Sequence, residues 1–87
     1  MSAAYRVLVS KAVAKQLARI NRPDQLRIRA ALDLLASDPR PPKSVPLTGV
    51  DSIYRVRVGD YRIVYSVRDE IRIVAIIRIG HRRDVYR

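Results

Sequence analysis

The sequence predicts a small α+β domain in which two helices pack on one face of a sheet. Apolar residues make up 48% of the chain and charged residues 30%, a balance typical of a globular core. Helical periodicity occupies residues 11–37, whereas residues 53–79 contain three segments rich in Ile, Val and Tyr. The predicted order is one short strand, a helical hairpin and a three-stranded antiparallel meander, which together form one domain over residues 1–87.

The first half of the chain carries the signals of a strand followed by two helices. Residues alternate over Tyr5–Val9, and the next residue, Ser10, is a favourable helix N-cap. Lys11–Ile20 has apolar residues at the spacing of one helix face and a basic stripe on another face. Pro23 ends this helix and suits the first turn of the second helix, which the Pro-rich segment after Asp38 terminates. The core side of the second helix is predicted to carry Ile28, Ala31, Leu32 and Leu35.

The register of the first two strands of the meander follows from one short turn. The meander strands are predicted at Ile53–Val58, Tyr61–Val67 and Ile71–Ile79. Gly59-Asp60 predicts a two-residue hairpin turn, which places Arg57 opposite Arg62. Side chains alternate along a strand, so the helix-covered face should carry Tyr54, Val56, Val58, Tyr61, Ile63, Tyr65 and Val67. The opposite face then carries Arg55, Arg57 and Arg62.

The second turn of the meander is predicted at residues 68–70, which would pair Val67 with Ile71. In that register Arg72 and Arg78 join the arginine-bearing face. The core side of the last strand would carry Ile71, Ile73, Ala75 and Ile77. Like charges on neighbouring strands are unfavourable, and a solvated face normally mixes both signs, so this face is predicted to bind an external anion.

Composition narrows the classes of partner and chemistry. The chain has 15 Arg and 3 Lys against 8 acidic residues, a formal charge of +10, which points to a polyanion, an anionic membrane or an acidic protein partner. The absence of cysteine excludes a disulfide scaffold, a thiolate metal site and a cysteine nucleophile, and it fits the cytoplasm. No apolar run is long enough to span a membrane. We expect no metal and no cofactor.

The C-terminal residues complete a set of side chains suited to RNA cleavage. Attack by the RNA's own 2′-hydroxyl needs a base, cations for the charge that builds on phosphorus, and an acid for the leaving oxygen. Arginine supplies the cations, and a histidine such as His81 exchanges protons near neutral pH. Arg82 and Arg83 follow it, and Tyr86 could donate a proton or stack on a base.

Four ordered blocks lie in the second half of the chain, at Leu47–Gly49, Ile53–Arg57, Asp60–Tyr65 and Ile79–Tyr86, behind the predicted helical hairpin. Together they resemble the successive blocks of the RelE/ParE toxin superfamily, and they are nearer to RelE than to ParE. The resemblance implies a type II toxin: a ribosome-dependent, metal-independent endoribonuclease that cleaves mRNA in the A site and inhibits translation. It also implies a cognate acidic, RelB-like antitoxin, with operator DNA contacted only through the antitoxin complex.

The resemblance also assigns roles by position. The phosphate-holding and proton-transferring positions of the family fall on Arg55, Arg57, Arg62, Arg82 and Tyr86. Where relatives often place a lysine, or in other branches a glutamate, as the base, this chain has Arg55. Arginine is a poor base and is better suited as an electrostatic clamp. His81 is the predicted substitute for the base. Further phosphate contacts are predicted at Arg72, Arg78 and Arg83.

Two other functions fit the same sequence. One is a ParE-like inhibitor of DNA gyrase that binds its target and cleaves no RNA. The other is a catalytically inactive partner that acts through antitoxin binding and operon repression. The presence of Arg82 and Tyr86 favours the nuclease, because a gyrase inhibitor would not need them.

Overall fold

The computed structural model describes residues 5–47, 49 and 51–81, and it confirms the α+β prediction. Its elements are β1 (Arg6–Val9), α1 (Lys11–Ala18), α2 (Arg22–Ser37), β2 (Val45–Pro46), β3 (Ile53–Val58), β4 (Tyr61–Arg68) and β5 (Ile73–His81). The strands form one sheet in the order β1-β5-β4-β3-β2, in which β1 runs parallel to β5 and the other neighbours are antiparallel. Strand β2 lies in a segment predicted as loop, because a two-residue edge strand with a proline leaves no alternating pattern.

Both helices begin at side-chain caps. The Ser10 hydroxyl accepts a hydrogen bond from the backbone N–H three residues later at 3.2 Å, which confirms the predicted start of α1. Asn21 caps α2 in the same way at 3.1 Å, and Pro23 lies in the first turn. The Gln25 amide donates to the Leu17 carbonyl at 3.0 Å and so links the two helices. No described helix has the length and apolar character that crossing a membrane requires.

The hydrophobic core lies between the helices and one face of the sheet. Its buried members are Val13, Leu17, Ile28, Leu32, Leu35, Val56, Ile63, Tyr65, Val67, Val74, Ile76 and Ile79. Tyr65 is completely buried, and its hydroxyl donates to the Pro39 carbonyl oxygen at 2.8 Å. Burial raises the pKa of Tyr65, because desolvation disfavours the phenolate. The core therefore covers one face of the sheet, and the other face is available for function.

The connection between β4 and β5 differs from the prediction. Val67 pairs with Val74 rather than with Ile71, so the turn comprises residues 69–72. Arg72 lies in this turn with φ of 53°, and Ile71 is 64% exposed. The predicted placement of Arg72 on the sheet was wrong, because a positive φ at arginine is uncommon and no Gly or Asn marked the turn.

An extra residue in β5 returns Arg78 to the predicted face. Tyr65 pairs with Ile76 and Val64 with Arg78, so Ile77 is the unpaired residue of a β-bulge. The buried residues of β5 are Val74, Ile76 and Ile79, in place of the predicted Ile71, Ile73, Ala75 and Ile77. Arg78 therefore lies on the same face of the sheet as Val64, as predicted. The register of β5 before the bulge differs from the predicted register.

A polar network ties together segments that are distant in sequence. Arg40 donates two hydrogen bonds to the Asp69 carboxylate at 3.1 and 2.7 Å, and its Nε donates to the Tyr54 hydroxyl at 3.0 Å. The Tyr5 hydroxyl also donates to Asp69. The bonds from Arg40, and secondarily from Tyr5, lower the pKa of Asp69 to about 2. The network fastens the loop after α2 to the β4–β5 turn.

We expect Asp69→Asn to remove an acid-sensitive part of the stability. The pKa of Asp69 is about 2 in the folded protein and 3.8 for the free side chain, so its contribution is complete above about pH 4 and disappears as the pH falls towards 2. The difference in urea midpoint between wild type and Asp69→Asn should therefore shrink below about pH 4. Asp33→Asn, on the exposed side of α2, is the control. A wild-type advantage that persists unchanged at pH 2 would contradict the expectation.

Candidate functional site

The sheet face opposite the helices carries a cationic groove at its β2–β3–β4 end. This open groove has a volume of about 610 Å³. It is lined by Lys43, Val45, Arg55, Arg57, Gly59 and Arg62. We call it the arginine groove. Among the described residues, its lining contains four cationic side chains and no acidic one.

The turn between β3 and β4 aligns the arginines of the groove. Arg57 lies directly opposite Arg62, which confirms the register predicted from the two-residue turn. Gly59 has φ of 60°, the value that the first position of a type II′ turn requires and that glycine adopts without strain. The Nε of Arg57 donates to the Gly59 carbonyl oxygen at 3.2 Å. The turn therefore sets both the pairing of the strands and the position of one guanidinium group.

Burial within the groove is uneven. Arg57 is exposed, whereas Arg55 and Arg62 are half-buried, and the Nη1 atom of Arg62 is fully buried. A guanidinium group packed in this way has few alternative positions, so it stabilises an incoming anion without reorganising. Planar, bidentate donors of this kind match phosphate oxygens. The arrangement suits the phosphodiester of a nucleic acid.

Lys43 is a groove residue that was not predicted from the sequence. It lies two residues before Val45, which pairs with Arg55 across β2 and β3. This pairing brings the Pro-rich loop to the rim of the groove. The available signal was a single basic residue beside two prolines, and it acquires meaning only once β2 is known to join the sheet.

The structure separates His81 from the arginine groove. His81 pairs with Tyr61, and the two rings meet edge to face with their centroids 5.4 Å apart. Tyr61 packs against the core, whereas Arg62, on the opposite face, pairs with Gly80. His81 therefore lies on the opposite face of the sheet from the arginines, and its role as the base stays a prediction. The extra residue at the β5 bulge and the late start of β5 set this register.

The other predicted site residues fall into two groups. Arg78 is on the same sheet face as the groove but does not line it. Arg72 is in the β4–β5 turn, at the opposite end of β4 from the groove. Arg82, Arg83 and Tyr86 lie outside the described residues, so their roles stay predictions.

Known proteins share both the sequence and the fold of this chain. A family model described as ParE toxin of type II toxin-antitoxin systems matches residues 7–86. A protein of Methanocaldococcus jannaschii described as toxin RelE1 is 29% identical over 86 residues, which cover 95% of this chain and 96% of the relative. The crystal structure of the archaeal RelE–RelB complex from Pyrococcus horikoshii OT3 contains a similar chain that is 31% identical, with a TM-score of 0.82. That match covers 91% of this chain and 96% of the other.

A bacterial toxin has the same fold as this chain. The crystal structure of the isolated E. coli RelE toxin matches with a TM-score of 0.79 at 24% identity, over 90% of this chain and 84% of the other. The family model spans nearly the whole described chain, including every strand that lines the arginine groove. The chain is therefore a toxin of type II toxin-antitoxin systems and belongs to the RelE/ParE superfamily.

Proposed function

We propose that this toxin is a ribosome-dependent endoribonuclease that cleaves mRNA in the A site and so inhibits translation. The arginine groove carries this proposal, because it combines four cationic side chains with no acidic lining residue among those described. Cleavage by the 2′-hydroxyl concentrates negative charge on the phosphorus centre. Preorganised cations lower the free energy of that transition state more than that of the bound substrate.

The three arginines of the groove have defined parts in the proposed reaction. Arg57 and Arg62 hold the scissile phosphate between β3 and β4, and Arg55 supports them from the neighbouring position. The 2′-oxygen attacks phosphorus and passes its proton to a general base, while the bond from phosphorus to the 5′-oxygen breaks. The leaving 5′-oxygen takes up a proton from a general acid, so the products are a 2′,3′-cyclic phosphate and a 5′-hydroxyl. By resemblance, Arg82 adds a phosphate contact and Tyr86 supplies proton transfer.

We also propose a cognate RelB-like antitoxin as the protein partner. Solved relatives of this chain are RelE–RelB complexes, among them those from Pyrococcus horikoshii and E. coli. A toxin with a formal charge of +10 favours an acidic partner. Operator DNA would be contacted only through that complex, and all these encounters would take place in the cytoplasm.

A ParE-like inhibition of DNA gyrase is the second candidate function. It is favoured by one specific observation, the family model described as ParE toxin. A gyrase inhibitor acts by binding, so it would leave mRNA intact. The two functions therefore differ in whether cleaved mRNA is formed, which can be measured directly.

The test is a cell-free translation reaction with the purified toxin, with mRNA 5′ ends mapped by primer extension. A supercoiling assay with DNA gyrase runs in parallel. We expect new 5′ ends within A-site codons and unchanged supercoiling. Intact mRNA with blocked supercoiling would transfer the assignment to the gyrase inhibitor. Absence of both effects would favour an inactive partner that acts through its antitoxin.

A further inference from the structure

The bulge in β5 decides which side chains of that strand reach the face of the arginine groove. After the bulge Val64 pairs with Arg78, and Ile77 is the extra residue. Arg78 is exposed on the groove face, and Val64 separates it from Arg55 in one row across the strands. Neighbouring strands lie about 4.8 Å apart, so Arg78 extends the cationic face by one strand beyond β4.

The apolar pattern of β5 does not by itself decide the site of the bulge. The buried residues on either side are Ile76 and Ile79, which stay in the core whether the extra residue is Ile77 or Arg78. If Arg78 were the extra residue, Ile77 would pair with Val64, and the arginine would leave the row across the strands. Another contact therefore has to distinguish the two arrangements.

Gln16 of α1 makes a contact of this kind. Strand β1 ends at Val9, which pairs with Ile76, so the last part of β5 extends past its parallel neighbour. There the Ile79 N–H donates to Oε1 of Gln16 at 2.9 Å, and the side-chain oxygen takes the place of a strand carbonyl. This N–H belongs to the peptide group between Arg78 and Ile79. The hydrogen bond therefore fixes the orientation of the backbone next to Arg78.

We propose that Gln16 is a positioning residue for RNA binding, because its hydrogen bond to Ile79 holds the β5 bulge in the form that directs Arg78 towards RNA phosphate. Gln16 belongs to α1, on the helix-covered side of the sheet, and does not line the arginine groove. A neutral side chain in the helix layer thus sets the charge that the other face presents. The inference rests on the proposed nuclease function, since it assigns Arg78 to a phosphate of the RNA substrate.

The test uses the two glutamines of the chain as a matched pair. Gln16→Met removes the acceptor of the Ile79 N–H. Gln25→Met removes a hydrogen bond of similar length, 3.0 Å, which Gln25 donates to the Leu17 carbonyl between the two helices. Both changes replace one neutral side chain with another, and methionine is a good helix former, so both variants should fold. Arg78→Ala, and its combination with Gln16→Met, complete the set.

The measurement is the affinity of each toxin for a fluorescent RNA oligonucleotide over a series of salt concentrations, followed by anisotropy. Methyl groups on the 2′-oxygens of the oligonucleotide prevent cleavage, so binding is measured alone. The slope of log affinity against log salt concentration reports the phosphates that the protein neutralises, at about 0.7 per contact for a single strand. Loss of stability alone leaves this slope unchanged, because the number of cations in contact with RNA stays the same.

We expect Arg78→Ala to flatten the slope by about 0.7 and to raise the Kd about fivefold, the upper end for one exposed charge pair. Gln16→Met should change both quantities by a similar amount, although it removes no charge. The double variant should resemble Arg78→Ala, because both residues act on the same contact. Gln25→Met should match wild type. Amide hydrogen exchange at Ile79 should be faster in Gln16→Met and close to wild type in Gln16→Glu, which keeps an acceptor oxygen.

A wild-type slope in Gln16→Met or in Arg78→Ala would overturn the proposal. Additive effects in the double variant would overturn it as well, because Gln16 would then act independently of Arg78. A flatter slope in Gln25→Met would contradict it by showing that any loosening of the fold has this effect. The nuclease test is separate. A wild type that cleaves no mRNA during translation but gives the expected slopes would refute the nuclease function and support the role of Gln16 in RNA binding.

Discussion

Replacing Arg62 with alanine is expected to slow mRNA cleavage on the order of a hundredfold, equivalent to about 3 kcal/mol of transition-state stabilisation. Arg62 is half-buried beside Arg57, and its Nη1 atom is completely buried. Such a cation is oriented before the substrate arrives, so its loss affects the transition state more than binding. The effect should appear in the rate of a single turnover on programmed ribosomes, measured with toxin in excess.

Two further variants distinguish the effect of the planar guanidinium donors from the effect of positive charge alone. Arg62→Lys keeps one positive charge but loses the planar pair of donors, so its rate should lie between wild type and Arg62→Ala. Arg29→Ala removes an exposed arginine of α2 that does not line the arginine groove, and it should cleave at the wild-type rate. Urea unfolding of each variant checks that the fold survives. Growth arrest by a folded Arg62→Ala at wild-type strength would refute the proposed role of this residue.

Truncating Tyr65 to alanine is expected to lower the free energy of unfolding by about 4 kcal/mol. Tyr65 is completely buried, and its ring stacks on that of Tyr54 at a centroid distance of 6.0 Å. Removing the ring leaves a cavity in the middle of the core that its neighbours cannot fill. A domain of this size is stable by roughly 5–10 kcal/mol, so the variant would lose a large part of its margin. The urea midpoint measures the loss.

Tyr65→Phe isolates the hydroxyl group from the ring. It should cost about 1–2 kcal/mol, because the Pro39 carbonyl oxygen would lose the partner that it has at 2.8 Å. Leu26→Ala, at an exposed position of α2, is the control for loss of apolar surface and should change stability little. Equal stabilities of Tyr65→Phe and Tyr65→Ala would show that packing of the ring contributes nothing and would contradict the account of the core.

The division of the sheet into two faces relates stability to function. The helix-covered face contains the ring of Tyr65 and the rest of the core, whereas the arginine groove occupies the other face of β3 and β4. The two sets of side chains alternate along the same strands. Core variants should therefore lower stability without removing the cations, and groove variants should lower activity while the protein stays folded.

The local sequence was sufficient to predict the features that neighbouring residues determine. The cap at Ser10 and the first-turn proline Pro23 mark the helix starts, because each acts within one turn of chain. The turn at Gly59-Asp60 brings together residues that are close in sequence, so alternation alone predicted the pairing of Arg57 with Arg62. The most specific part of the groove was therefore visible in the sequence.

The tertiary structure decided the features that depend on pairing between residues far apart in sequence. The start of β5 at Ile73 coincides with the parallel pairing of Arg6 with Ile73, which joins the two ends of the chain and which no local pattern encodes. The resulting register and the bulge at Ile77 place His81 beside Tyr61, away from the arginines.

Lys43 enters the groove for the same reason. The two-residue strand β2 has no periodicity of its own and gains its position only by pairing with β3. The sequence by itself thus determined the family, the helices and the paired arginines. The folded sheet decided which further side chains join them, because strand pairing over long separations depends on the whole core rather than on any single segment.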